Sequence, residues 1–123
     1  MSVPVVPLQT YRQTSVLSAS PNGLIVELYD GARRFLREAA KAMDEREIER
    51  AHNALTRAER IIAYLNEVID DDGGEIAQNL HALYSFYLEH LAAARATLDR
   101  SKVDAVSRML GSLRDAWQEV PQQ

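Results

Sequence analysis

Few side chains in this sequence are spaced for chemistry. Glu49-Arg50-Ala51-His52 sets a carboxylate and an imidazole three residues apart, on one face if the segment is helical. Di-metal centres in helical bundles use two such Glu-x-x-His pairs plus two more inward carboxylates. Only one pair is present, and His52 lies off the centre of the local apolar stripe, so the expectation is a surface histidine. His81 and His90 have no matching acidic ladder and read as surface or rim residues. Asp70-Asp71-Asp72-Gly73-Gly74 is acidic enough to suggest calcium, but an EF-hand loop needs alternating acids, a glycine and a glutamate at fixed offsets. This run is too short for that and reads as a solvated turn. Gly-rich phosphate loops and G-x-S-x-G are absent. Arg33, Arg34 and Arg37 read as a solvated helix face. With no cysteine, disulfides, thiolate catalysis and cysteine-based zinc sites are excluded. No catalytic residue, metal ligand or cofactor is assigned.

The elements that would carry a function are helices. Pro21 suits the first position of a helix and Ser20 suits its N-cap. Leu24, Leu28, Phe35, Leu36, Ala39 and Met43 then recur at helical spacing. A second helix is predicted from about residue 45 to 69, with Asp44 and Glu47 as a capping pair and Ile48, Ala51, Leu55, Ala58, Ile62, Leu65 and Ile69 as its core stripe. Gly73 and Gly74 end it. Asp72 with Glu75 is the expected cap of a third helix carrying Ile76, Leu80, Leu83, Tyr84, Tyr87, Leu88, Leu91 and Leu98. Ser101 and Asp104 mark a fourth, with Val103, Val106, Leu110, Leu113 and Trp117. Gly31, inside the first helix, is expected to permit close backbone approach. Short links make successive helices antiparallel neighbours. The fold class is therefore all-α, an antiparallel up-down four-helix bundle over residues 20–120, preceded by an extended N-terminal segment, residues 1–19.

That segment is unusual. Pro4 and Pro7 forbid a continuous helix, yet Val3, Val5, Val6, Leu8, Tyr11, Val16 and Leu17 make it more apolar than disordered tails commonly are. Either it packs permanently on its own bundle, or it is a removable cover over a binding groove. The chain has 123 residues and a net charge of −4, which argues against nucleic acid and against an anionic membrane surface as partners. There is no positive charge before Arg12 and no long apolar run at the N-terminus, so no secretory signal or membrane insertion is expected. A cytoplasmic location is the expectation.

Two helices carry more apolar surface than a bundle core requires. Beside its core stripe the second helix has Ala54, Ile61, Tyr64 and Val68, widening the apolar arc to about 200°. On the third, Phe86 projects away from the stripe, with Asn79, Ala82 and His90 as neighbours. Surplus of this kind marks a binding surface or the seat of the N-terminal segment.

Several runs resemble a known family. Tyr11 followed by Val16-Leu17-Ser18-Ala19-Ser20-Pro21, then Leu28-Tyr29-Asp30-Gly31-Ala32 and Phe35-Leu36, resembles the N-terminal signature of the flagellar export chaperones, the FliS family. Gly73-Gly74-Glu75-Ile76-Ala77-Gln78-Asn79-Leu80 with Leu83-Tyr84 resembles the family's third helix, and Asp115-Ala116-Trp117 its C-terminal end. The likeness covers about residues 11–118. Asn22-Gly23 and Ser85-Phe86-Tyr87 depart from the commonest pattern.

The resemblance implies a four-helix bundle that binds the disordered C-terminal segment of flagellin in the cytosol. It implies that binding prevents premature polymerisation and aids delivery to the type III export gate. Further partners implied are an export-gate component and a regulatory co-chaperone, with a monomer or weak homodimer when cargo is absent. On this reading Ile61, Tyr64, Leu65, Val68, Ala82 and Phe86 line a cargo groove, Asn79 hydrogen-bonds cargo backbone, and Tyr29 belongs to the site through the family motif. Tyr11, Val16 and Leu17 form the displaceable N-terminal cover. A self-associating helical adaptor with no flagellin cargo is the alternative.

Overall fold

The apolar stripes do form four helices. The computed structural model describes residues 21–119. Helix α1 spans Pro21–Asp44, α2 Ile48–Glu67, α3 Gly74–Thr97 and α4 Arg100–Gln118, with a 3-10 turn at Asp71–Gly73 and no strand among the described residues. The expected cover residues Tyr11, Val16 and Leu17 and the Ser20 cap lie outside the described residues.

Side-chain pairings fix the directions of the helices. Between α1 and α2, Arg50 donates to Glu38, the Arg57 guanidinium lies over the Phe35 ring, and Ile61 faces Gly31. Between α1 and α4, Arg100 pairs with Asp44, Arg33 lies against Gly111, and Arg114 donates to Asp30. Between α2 and α3, Arg95 reaches Glu59 and His81 reaches Asn66. In each case residue numbers fall on one helix as they rise on its neighbour, so the helices form an antiparallel ring. Most of these ion pairs are exposed and individually contribute little to stability.

The core is centred on α1. Ala32, Ala39 and Ala42 are fully buried and Ala40 nearly so, which lets α2 and α4 approach α1 closely. Helix α1 packs on both more extensively than α3 does. Across the diagonal, the Tyr29 and Tyr84 hydroxyls lie 2.5 Å apart, and Trp117 Nε1 donates to Tyr29 Oη at 3.1 Å. Tyr29, Tyr84 and Tyr87 are all buried. Burial raises all three phenol pKa values, with hydrogen-bonding to Tyr29 adding to the rise at Tyr84.

The helix boundaries depart from expectation for definite reasons. Helix α1 ends in a Schellman motif, with Glu47 N–H donating to Ala42 O and Arg46 N–H to Met43 O. Arg46 takes the left-handed conformation there, with φ 59°. Helix α2 therefore starts at Ile48, and the expected Asp44–Glu47 capping pair is not made: Asp44 pairs with Arg100 and Glu47 with Arg50. Asp72 does not cap α3; Asp70 instead accepts from Asp72 N–H and closes the 3-10 turn, and Gly73 precedes α3 without a side-chain cap. The cap of α4 is Asp99, not Ser101 or Asp104. It accepts from both the amide and the hydroxyl of Ser101, which hold its carboxyl below the usual range. Leu98 just before it is also left-handed, at φ 55°.

Other expectations change in packing. Ile48 is 53% exposed and Ile76 72% exposed, because each sits at a helix start beyond the reach of its neighbours. Gly31 is not demanded by backbone approach, since a Cβ there would lie 3.5 Å from Ile61 Cδ1, an ordinary contact. The close approach is at Gly111, where a Cβ would fall 2.9 Å from Arg33 Cζ. Arg33 is thus not simply a solvated side chain: its Nε is buried and has no partner among the described residues.

Three outcomes are expected. Arg46→Gly should stabilise the fold by about 1 kcal/mol in urea denaturation, because glycine takes the left-handed position without the Cβ penalty. Tyr29→Phe should cost about 1–3 kcal/mol, since it strands the buried Tyr84 hydroxyl. The raised phenol pKa values contribute stability that is fully present below the ordinary tyrosine value of about 10 and is lost as pH rises above it. Tyrosinate absorbance from these three residues should therefore appear together with alkaline loss of helicity.

Candidate functional site

The residues expected to line one groove do not share one face. Arg95 marks the seam between α2 and α3, donating to Glu59 Oε1 at 2.5 Å and to Thr56 Oγ1 and the His52 carbonyl at 3.3 Å. Val68 lies nine residues from Glu59, and Phe86 nine residues from Arg95. At about 100° per residue, each is about half a turn away from the seam. The two face opposite ways out of the α2–α3 pair.

Ile61, Tyr64 and Val68 share the side of α2 that meets α1, as the proximity of Ile61 to Gly31 shows. Ile61 and Tyr64 are partly buried against the core, and Val68 is 45% exposed. Farther along, α1 and α2 leave an open furrow of about 370 Å³ between Phe35 on one side and Asn53 and Ala54 on the other. Sequence reasoning placed Phe35 in the core and missed the furrow. The one available signal was Phe35 flanked by Arg34 and Arg37.

The second strip lies on α3. Going round that helix from Arg95, the buried Leu91 and Tyr87 come first, then Leu83, Asn79 and Phe86, on the side toward α4. Phe86 is 45% exposed, and its ring stacks on His90 at 5.1 Å and meets Tyr87 edge-on at 6.1 Å. Asn79 and Ala82 are exposed beside it, and Ile76 extends the strip toward the start of α3.

Two expected site residues belong to the core instead. Tyr29 is fully buried and Leu65 is 1% exposed. Tyr29 is inside because its hydroxyl finds partners there, and Leu65 because it sits at the centre of the α2 stripe. His81 is not a plain rim residue: its Nδ1 lies 2.5 Å from Asn66 Oδ1 and its Nε2 2.9 Å from Asp71 Oδ1, tying the turn before α3 to both helices. Among the described residues no group of three or more His, Asp or Glu is placed to hold a metal, and no helix is long and apolar enough to cross a membrane. What the surface offers is apolar contact area.

Core and strip should separate in a stability measurement. Leu65→Ala should cost about 2–5 kcal/mol in chemical denaturation, whereas Val68→Ala should change stability by no more than about 0.5 kcal/mol.

Comparison with known proteins places the chain. A family model described as "Flagellar protein FliS" matches residues 5–123. The flagellar secretion chaperone FliS of Bacillus subtilis is 31% identical over 116 residues, covering 94% of this chain and 86% of the relative. The chaperone of the same name from Salmonella typhimurium is 33% identical over 114 residues, covering 91% and 84%. A crystal structure of a bacterial flagellar chaperone superposes with a TM-score of 0.76 at 18% identity, over 94% of this chain and 95% of that one.

Proposed function

The chain belongs to the flagellar protein FliS family, and from that premise we propose that it is a cytosolic export chaperone for flagellin. It binds the disordered C-terminal segment of flagellin, keeps it from polymerising early, and presents it to the flagellar export apparatus. The family's relatives are named secretion chaperones, which agrees with a protein that works by binding rather than by catalysis. The observation that carries the reading is the exposure of the large apolar side chains of Val68, Ile76 and Phe86 at the surface of α2 and α3. Exposed apolar residues grouped along helix faces are suited to the apolar side of a segment that folds on contact.

On this reading the cargo occupies both strips: Ile61, Tyr64 and Val68 on the α1 side of α2, and Asn79, Ala82 and Phe86 on the outer side of α3. A segment that orders on binding loses conformational entropy, so a large wrapped contact is required. Tyr11, Val16 and Leu17 cover part of this surface before cargo arrives. An export-gate component and a regulatory co-chaperone are the further partners.

Calorimetric titration with the last forty or so residues of a flagellin from the same organism tests this, a length suited to an interface of roughly 20–30 residues a side. One-to-one binding with a large negative heat-capacity change is expected. Val68→Glu and Phe86→Glu should each weaken binding at least about tenfold, the order expected when a well-packed apolar contact is lost, with helicity by circular dichroism retained. Ile61→Glu is a poorer probe, because Ile61 also packs on the core. No heat with the wild-type chain would refute the reading. Self-association through Ile76 and Phe86 would then be sought as a concentration-dependent shift in sedimentation.

A further inference from the structure

The furrow between α1 and α2 has a charge imbalance that the apolar strips do not. Arg50, at one end, is satisfied: it donates to Glu38 at 2.8 Å and to Glu45 at 3.1 Å, and also pairs with Glu47. Arg34 and Arg57, which border the same furrow, form no ion pair among the described residues. The acids nearest in sequence are engaged elsewhere, Asp30 with Arg114, Glu38 with Arg50 and Glu59 with Arg95. Arg57 is nevertheless held in place, its guanidinium carbon 5.7 Å from the centroid of the Phe35 ring. That contact orients the guanidinium while leaving its donors available.

We propose that this furrow is a carboxylate-reading subsite, in which Arg34 and Arg57 receive an acidic side chain of the disordered export cargo while Phe35 takes an apolar side chain beside it. The proposal rests on the preceding reading that the partner is such a cargo. The matching pattern in the partner is an Asp or Glu three or four residues from an apolar side chain, the spacing that puts both on one face of a nascent helix. The occupant is not this chain's own N-terminal segment, because residues 1–20 contain no Asp or Glu. A furrow of about 370 Å³ admits side chains rather than a folded partner. A guanidinium fork that receives a carboxylate forms charge-assisted bonds that also set register. The apolar strips would supply affinity, and this subsite would decide where along the cargo the chaperone sits.

The test uses the full chain and the C-terminal flagellin segment, titrated at several salt concentrations. The double variant Arg34→Gln/Arg57→Gln should bind about tenfold more weakly, as expected for loss of charge-assisted bonds, with a shallower dependence of affinity on salt. Arg34→Lys/Arg57→Lys should keep the salt dependence while losing part of the affinity, because charge is retained and the fork is not. Replacing the cargo's acidic residues one at a time by their amides should yield one position at which the wild type and the double-Gln variant bind alike. Arg34→Gln alone, which leaves the Phe35 contact untouched, guards against a folding defect. If the wild type binds while the double-Gln variant binds equally well with the same salt slope, this inference falls and the chaperone reading stands. Weaker binding with an unchanged slope would also overturn it. If the wild type does not bind the segment at all, both fall.

Discussion

A buried hydroxyl pair spans the diagonal of this bundle. Tyr29 on α1 and Tyr84 on α3 meet at the centre, and Trp117 on α4 donates to the same Tyr29 oxygen. A four-helix ring held by apolar packing alone tolerates sliding and rotation of its members, because leucine and alanine contacts are non-directional. A hydrogen bond buried away from water is directional, and each phenol stranded by a slip would carry a desolvation penalty. The pair thus sets the rotational phase of α1 against α3. That phase fixes which side of α3 faces the core. The alanines of α1 complement it by bringing α2 and α4 close to the same helix, so α3 is the member with the least packing and the most apolar surface to spare.

Much of the fold was legible in the sequence. The apolar repeats of α2 and α4 gave their core faces, and Pro21 and Gly73-Gly74 gave the start of α1 and the α2–α3 break. The other two turns were harder to place. A helix end is usually announced by glycine because a left-handed residue follows it, but here those positions are filled by Arg46 and Leu98. Without glycine the pattern runs on, and the start of α2 was placed about one turn early. Ile48 and Ile76 misled for a related reason. Periodicity assigns a residue to a face, but at a helix end that face can extend past its neighbour into solvent.

The candidate surface was legible only in part. The surplus apolar arc could be read from residue types and belongs to α2 and α3. Its division into two strips could not, because the period of one helix carries no information about how its neighbour is turned. Contacts distant in sequence decide that, chiefly Arg95 with Glu59 and Gly31 with Ile61. Tyr29 shows the converse limit. Its position in a recognisable motif suggested the surface, whereas burial with two hydrogen-bonding partners explains the residue without any ligand.

The opposed orientation of the two strips has a kinetic consequence. No straight helix can touch Val68 and Phe86 together, so a chain occupying both must bend round the bundle and hold on at two places joined by a tether. Each grip raises the local concentration of the other, and overall affinity then exceeds that of either contact. The same arrangement dissociates in steps. A competitor, or a pull on one end, need only free one strip before the remaining contact is weak, so a tightly held segment can be peeled away without first crossing the full barrier to release.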